Sequence, residues 1–190
     1  MTESQIKHLN IEGCWVFKPI THSDSRGLFF EWFQDSTFEK YSGGEFKIAQ
    51  ANCSVSNKGV IRGIHFAKFP PGQSKYVTCL AGKVFDVVVD LRKGSPTFGK
   101  WDSVVLDSAE PSALFIPSGI GHGFMALEDN TSFVYLCDQR YNPNNEFDIS
   151  PFDQTIGIEW PKNIDAIVSK KDQEGKSFED LMEHYPNFSE

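Results

Sequence analysis

Cysteine is scarce in this 190-residue chain, and so are long apolar runs and positive charge. The four cysteines, Cys14, Cys53, Cys79 and Cys137, form no CxxC pair. Each lies in or beside an apolar stretch, where a reduced core thiol is the expectation. No stretch approaches the ~20 apolar residues that a membrane-spanning helix needs. The first ten residues, MTESQIKHLN, lack the apolar core of a secretory signal. A cytoplasmic protein is therefore expected, with no membrane partner. Lys and Arg number 18 against 26 Asp and Glu, for a net charge of −8. That leaves no basic stripe for a phosphate backbone, so no nucleic-acid partner is expected. A small anionic ligand needs only a few focused cations and stays open.

Phenylalanine, in contrast, is abundant, at 17 residues. That favours strands, a large packed interior and a surplus for an interface. Short strand-like runs recur, at 14–20, 28–33, 46–55, 60–66, 76–80, 83–91, 101–106, 113–116, 123–127 and 132–137, separated by turn residues. Glu31 falls inside the second run, with Arg26 at its mouth. Alternation in the third puts Gln50 and Asn52 on one face. Ser36-Thr37-Phe38-Glu39 has capping-box spacing and predicts one short helix ending near Gly43-Gly44. Ser177, with Asp180 three residues on, predicts a final helix whose Phe178, Leu181, Met182 and Tyr185 share a face. The turn-rich segment 142–161 is expected to fold over the strands. The pattern predicts an all-β jelly-roll sandwich, one domain spanning 1–190, with an N-terminal arm over about 1–12, short peripheral helices, and a C-terminal arm and helix over about 162–190.

The stretch GVIRGIHFAKFPPGQSK, 59–75, sets an arginine, a histidine and a lysine among apolar and turn-forming residues. On an ideal strand Arg62 and His65, three apart, would point to opposite faces. A bulge at Gly63 would let both reach one cavity. Taken alone, the stretch also reads as an ordinary hairpin with a surface Arg, a core His and a surface Lys. A second histidine, His122, ends a Pro-x-Gly-x-x-His run from Pro117, the pattern of the second cupin motif. The companion cluster of two histidines and a carboxylate is missing, because His65 is followed by Phe66-Ala67. His65 and His122 alone lack the usual third protein ligand, so no metal is expected.

Arg62-Gly63-Ile64-His65-Phe66, Gln73-Ser74-Lys75, Asp90-Leu91-Arg92 with Ser95-Pro96-Thr97-Phe98-Gly99, the run 117–124, Tyr135, Tyr141, Glu146, Ile158-Glu159-Trp160-Pro161 and Ser169-Lys170-Lys171-Asp172 occur in one order. Together they resemble the dTDP-4-dehydrorhamnose 3,5-epimerase family over about 13–172. The resemblance implies a cupin-like jelly roll, usually a homodimer, that uses no metal or organic cofactor. It implies a nucleotide-linked 4-keto-6-deoxyhexose as substrate and inversion at carbons beside the ketone. By that resemblance His65 is the base, Asp172 its partner, Lys75 the cation at the enolate oxygen and Tyr135 the acid. Arg26 and Arg62 match diphosphate and sugar contacts. Glu31, Gln50, Asn52, His122, Glu146 and Lys171 match further binding positions, and Tyr141 the aromatic that stacks on thymine. Arg26 and Glu31 are expected to serve a neighbouring subunit. Relatives that invert one carbon share the same catalytic residues, so C3, C5 or both stay open. The alternative is a silent sugar-nucleotide-binding cupin.

Overall fold

The computed structural model describes residues 5–184. In chain order the elements are β1 (Gln5–His8), β2 (Trp15–Lys18), β3 (Thr21–Asp24), β4 (Gly27–Phe30), α1 (Asp35–Ser42), β5 (Gln50–Ser56), β6 (Val60–Ala67), β7 (Lys75–Ala81), β8 (Lys83–Asp90), β9 (Trp101–Asp107), β10 (Ala113–Ile116), β11 (Ile120–Ala126), β12 (Thr131–Cys137), β13 (Glu146–Asp148), β14 (Ile167–Val168), α2 (Lys170–Gln173) and α3 (Phe178–His184). Two sheets carry the molecule, ordered β1-β2-β10-β7-β12-β5 and β13-β6-β11-β8-β9, with β14 added along β6. Neither closes into a barrel. None of the helices among the described residues is long and apolar enough to cross a membrane.

Strand alternation builds a layered interior. Val77, Cys79 and Phe133 of the first sheet meet Val84, Val88, Ile120 and Phe124 of the second, and this middle layer is the core. The rings of Phe133 and Phe124 lie 4.4 Å apart across it. Removing Phe133, which is fully buried, costs about 3–5 kcal/mol by the usual scale for a large core side chain. The opposite face of the second sheet offers Ile61, Ile64, Phe66, Val87 and Val89, which the C-terminal segment covers with Ile149, Ile156, Trp160, Phe178 and Leu181. That cover is pinned by Asp153, which accepts from the Phe178 N–H at 2.9 Å and the Ile156 N–H at 2.8 Å. Behind the first sheet, Trp15, Phe17, Phe38, Phe46 and Tyr76 form an aromatic layer over which α1 packs.

Several boundaries differ from the pattern in the sequence. Helix α1 starts two residues earlier than a Ser36 cap allows: its N-cap is Gln34, and Asp35 in the first turn accepts from the Ser36 N–H. Its C-cap is the left-handed Gly43, as the glycine pair suggests. The run 28–33 stops pairing at Phe30, so Glu31 lies outside the strand, because Trp32 and Phe33 turn in to pack on Tyr76. The run 46–55 pairs only from Gln50, because Phe46 is drawn into the aromatic layer against Phe38 at 5.1 Å. Residues 5–8 of the N-terminal arm form an edge strand on β2. Cys53 is exposed on the edge strand β5, while the other three thiols are buried, and all four are free. At the last helix, Ser177 Oγ accepts from the Asp180 N–H at 3.0 Å, as expected of a cap. Tyr185 of its expected face lies outside the described residues.

Candidate active site

The β6–β11 pairing decides what faces the space between the sheets. Its register slips between His122 and Phe124: His122 pairs with His65 and Phe124 with Arg62, so Gly63 and Ile64 oppose Gly123 alone. The extra residue restores Arg62 and His65 to one face, as a bulge does. Only glycine fits at 63. Its φ is +122°, and a Cβ there would meet Gly123 Cα at 2.5 Å. Arg62 and His65 line one cavity of about 560 Å³ together with Lys75, His122, Tyr135, Lys171 and Asp172.

His65 Nε2 lies 2.7 Å from Asp172 Oδ1. Asp172 is buried in α2, whose N-cap Ser169 accepts from the Asp172 N–H at 3.1 Å and fixes the turn. Burial alone would push the Asp172 carboxyl up. The hydrogen bond and charge of His65, with bonds from Ser169 and the Gly63 N–H, outweigh it and hold the carboxyl below its ordinary value. An ionised Asp172 accepts from His65 Nε2–H, which leaves Nδ1 as the ring's basic nitrogen. Asp148 Oδ1 also faces Nε2, at 3.5 Å, and takes an ion pair from Lys171 at 3.0 Å. His65, Asp148 and Asp172 place ligand-type atoms within 4.8 Å of one another. The shared nitrogen is committed to the Asp172 hydrogen bond.

On the second sheet, buried His122 sits with Nε2 3.0 Å from both carboxylate oxygens of Asp86. Burial raises the Asp86 carboxyl, and His122 and Lys75 act against it. Lys75, on β7, is itself buried. Desolvation lowers its proton affinity, opposed by the charges of Cys137, Glu146 and Asp86. A desolvated cation is strongly felt by any anion that forms beside it. Tyr135 lies on β12, in the sheet opposite His65, and burial raises its hydroxyl above the ordinary tyrosine range. A site with a carboxylate-supported imidazole on one wall, a phenol on the other and a buried cation holds the parts a proton-transfer isomerase uses.

The remaining expected residues spread outward. Gln50 and Asn52 share a face, with Gln50 Nε2 donating to Asn52 Oδ1 at 2.9 Å, and Asn52 pairs with Tyr135. Gln50 Oε1 accepts from the Tyr141 N–H at 2.8 Å, although the Tyr141 ring is 61% exposed. Glu146 pairs beside the site on β13, and burial raises its carboxyl. Arg62 Nε donates to Ser56 Oγ at 3.2 Å. Arg26 and Glu31 are not brought to this cavity. Arg26 sits on the β3–β4 hairpin in an ion pair with Asp24, and Glu31 lines a separate hollow with His22 and Gln34. Asp90 holds Arg92, Ser95 and Thr97 in a loop network, so that motif is structural. Asp86, Asp148 and Ser54 are residues that the sequence reading misses. Asp86 carries a signal, a charge inside an apolar run. Asp148 carries none, because its strand is only three residues long. The buried Ser54 Oγ on the cavity wall has no hydrogen-bond partner in the structure.

These features fit a jelly-roll isomerase. Residues 8–180 match the dTDP-4-dehydrorhamnose 3,5-epimerase family. A protein of that name from Mycobacterium tuberculosis is 49% identical over 92% of this chain and 88% of its own. A solved 4-keto-6-deoxy sugar epimerase from the novobiocin cluster of Streptomyces spheroides superposes with a TM-score of 0.93 at 42% identity, covering 96% of this chain and 92% of that one. A 3'-monoepimerase from Streptomyces bikiniensis, solved with dTDP-quinovose, superposes with a TM-score of 0.89 at 41% identity over 93% and 89% of the two chains. The chain belongs to the dTDP-4-dehydrorhamnose 3,5-epimerase family and is a carbohydrate epimerase.

Proposed function

We propose that the enzyme inverts C3 and C5 of a dTDP-4-keto-6-deoxyhexose by deprotonation and reprotonation on opposite faces. The ketone acidifies the neighbouring C–H bonds. His65 Nδ1 takes the proton, the C–H electron pair moves onto the ketone oxygen as an enolate, and Asp172 holds the resulting imidazolium. Lys75 faces the enolate oxygen. Tyr135 O–H delivers a proton to the other face of the carbon as the enolate pair returns to it, solvent reprotonates the Tyr135 oxygen, and the His65 imidazolium gives its proton to solvent. General acid–base help of this kind is worth about 10²–10⁴-fold. The observation that carries the reading is the 2.7 Å His65–Asp172 pair and Tyr135 on facing sheets of one cavity. Arg62, Lys171 and His122 bind the substrate from the same walls, and Gln50, Asn52, Glu146 and Tyr141 from its rim. Proton NMR of dTDP-4-keto-6-deoxyglucose with the enzyme in D₂O tests it. Deuterium at C3 and C5 is the expected result. Label at one carbon restricts the reaction to a mono-epimerase, and tight dTDP binding without exchange leaves a binding protein.

The site is completed by a second copy of the chain. The β3–β4 hairpin pairs with no other strand among the described residues and exposes Leu28 and Phe29, at 44% and 65%. It carries Arg26, with Glu31 just after it. In a homodimer these two reach the partner's nucleotide. Light scattering on the purified protein should give twice the chain mass, and a monomer would rule this arrangement out.

A further inference from the structure

Asp148 sits between a base and a cation that have different obligations. Its Oδ1 lies 3.5 Å from His65 Nε2 and 3.0 Å from Lys171 Nζ. It reaches His65 because β13 pairs with β6 and sets Asp148 directly opposite that residue. Asp172 already binds the same nitrogen at 2.7 Å, so Asp148 is not needed to orient the ring. Lys171 lines the cavity but keeps a 64% exposed side chain, with room to swing toward an anion. Lys171 and Asp172 are consecutive on α2, so cation and base partner share one rigid turn.

We infer that Asp148 is a positioning residue that couples ligand binding to the strength of the base: an anionic ligand draws Lys171 off Asp148, and the released carboxylate then supports the protonated His65. The inference rests on the reading of His65 as base. In the ligand-free enzyme Lys171 neutralises most of the Asp148 charge that His65 feels. A nucleotide diphosphate is a stronger partner for an ammonium than one carboxylate is. Once Lys171 turns to it, two carboxylates face one imidazole, and the base strengthens only when substrate is present. The other charges around His65 are Glu146 on β13, Asp172 and Lys171 on α2, His122 across the β6–β11 pairing, and Arg62 and Lys75 on the cavity walls. None of these bridges His65 to a mobile cation as Asp148 does.

The test follows the His65 ring by NMR titration in the full-length protein, assigned with His65→Gln, for the unmodified chain and Asp148→Asn, each without ligand and with saturating dTDP. An opposite charge at this distance shifts a titration by about one pH unit at a partly exposed site. In the unmodified chain dTDP should raise the His65 midpoint by about that much, roughly a tenfold gain in proton affinity. In Asp148→Asn less than about a third of the rise should remain, and Asp148→Glu should restore most of it. Lys171→Met alone should lift the ligand-free midpoint, and it should lift it much less when Asp148→Asn is already present. Equal dTDP-induced rises in the unmodified chain and Asp148→Asn overturn the coupling. Deuterium exchange in the same samples separates this from the reading beneath it: exchange with equal rises removes only the role of Asp148, and no exchange in the unmodified chain removes the epimerase reading.

Discussion

The inner and outer ends of the cavity are built differently. At the inner end the charged groups have their partners within the chain: His65 with Asp172, His122 with Asp86, and Lys75 buried among compensating charges. At the outer end Lys171 pairs with Asp148 through a 64% exposed side chain and Tyr141 beyond it is exposed, while Arg26 lies apart from the cavity on the β3–β4 hairpin. The first is preorganised, so its groups need no rearrangement when charge develops. The second, on the proposed function, is where ligand and a second copy complete the site. The chemistry is therefore expected to respond to substitution in rate, and the binding end in KM.

The sharpest break is His65→Asn, which should reduce solvent exchange at both carbons by about 10³-fold or more while leaving dTDP affinity unchanged. Isothermal titration beside the NMR assay checks it, and a matching loss of affinity would erase the distinction between the ends. Lys75→Met should cost about 10²–10³-fold in kcat. It should also raise the melting temperature at neutral pH. Burial holds the folded Lys75 below its ordinary 10.5. Unfolding therefore takes up a proton between the depressed value and 10.5, and stability rises with pH through that window. Melting curves against pH should lose that rise in the variant; an unchanged slope would mean that Lys75 is not desolvated. Tyr135→Phe should keep exchange from the His65 face and lower inversion by roughly 10–10²-fold, seen as washed-in deuterium without a change of configuration. Parallel loss of both would remove Tyr135 as a dedicated acid. The smallest effect belongs to Tyr141→Ala, which should raise KM about five- to tenfold, the worth of one base stacked on a ring, with kcat held.

How much of this was legible depended on the range of the interaction. The Gly63 bulge, the shared face of Gln50 and Asn52, and the Ser177 cap are local, and strand alternation or capping spacing exposes them. Asp86 and Asp148 acquire meaning only from registers that bring His122 and His65 beside them from 36 and 83 residues away in the chain (122 − 86 and 148 − 65). The apolar run around Asp86 marks it as unusual but does not name its partner, and the neighbours of Asp148 give no signal. The boundary errors at Phe30 and Gln50 share one cause, the aromatic layer behind the first sheet, which pulls Trp32, Phe33 and Phe46 out of strand pairing. Periodicity registers their apolar character and not the direction in which they leave. The roles of Lys75 and Tyr135 came from the family resemblance, and the structure adds the burial that suits a cation and a phenol to those roles.

His65 and Asp172 lie 107 residues apart in the chain. A ribosome has therefore laid down strands β1 to β12 and the layer between the two sheets by Cys137, well before Asp172 emerges. Until the turn capped by Ser169 docks on β6, the nascent chain lacks both the cavity wall formed by Ile167, Val168, Ser169, Lys171 and Asp172 and the carboxylate beside His65. The closed cavity thus arrives late in synthesis, and a C-terminal deletion that removes Asp172 also strips Phe178 and Leu181 from the covered face of the second sheet, so it should cost stability as well as the His65–Asp172 pair.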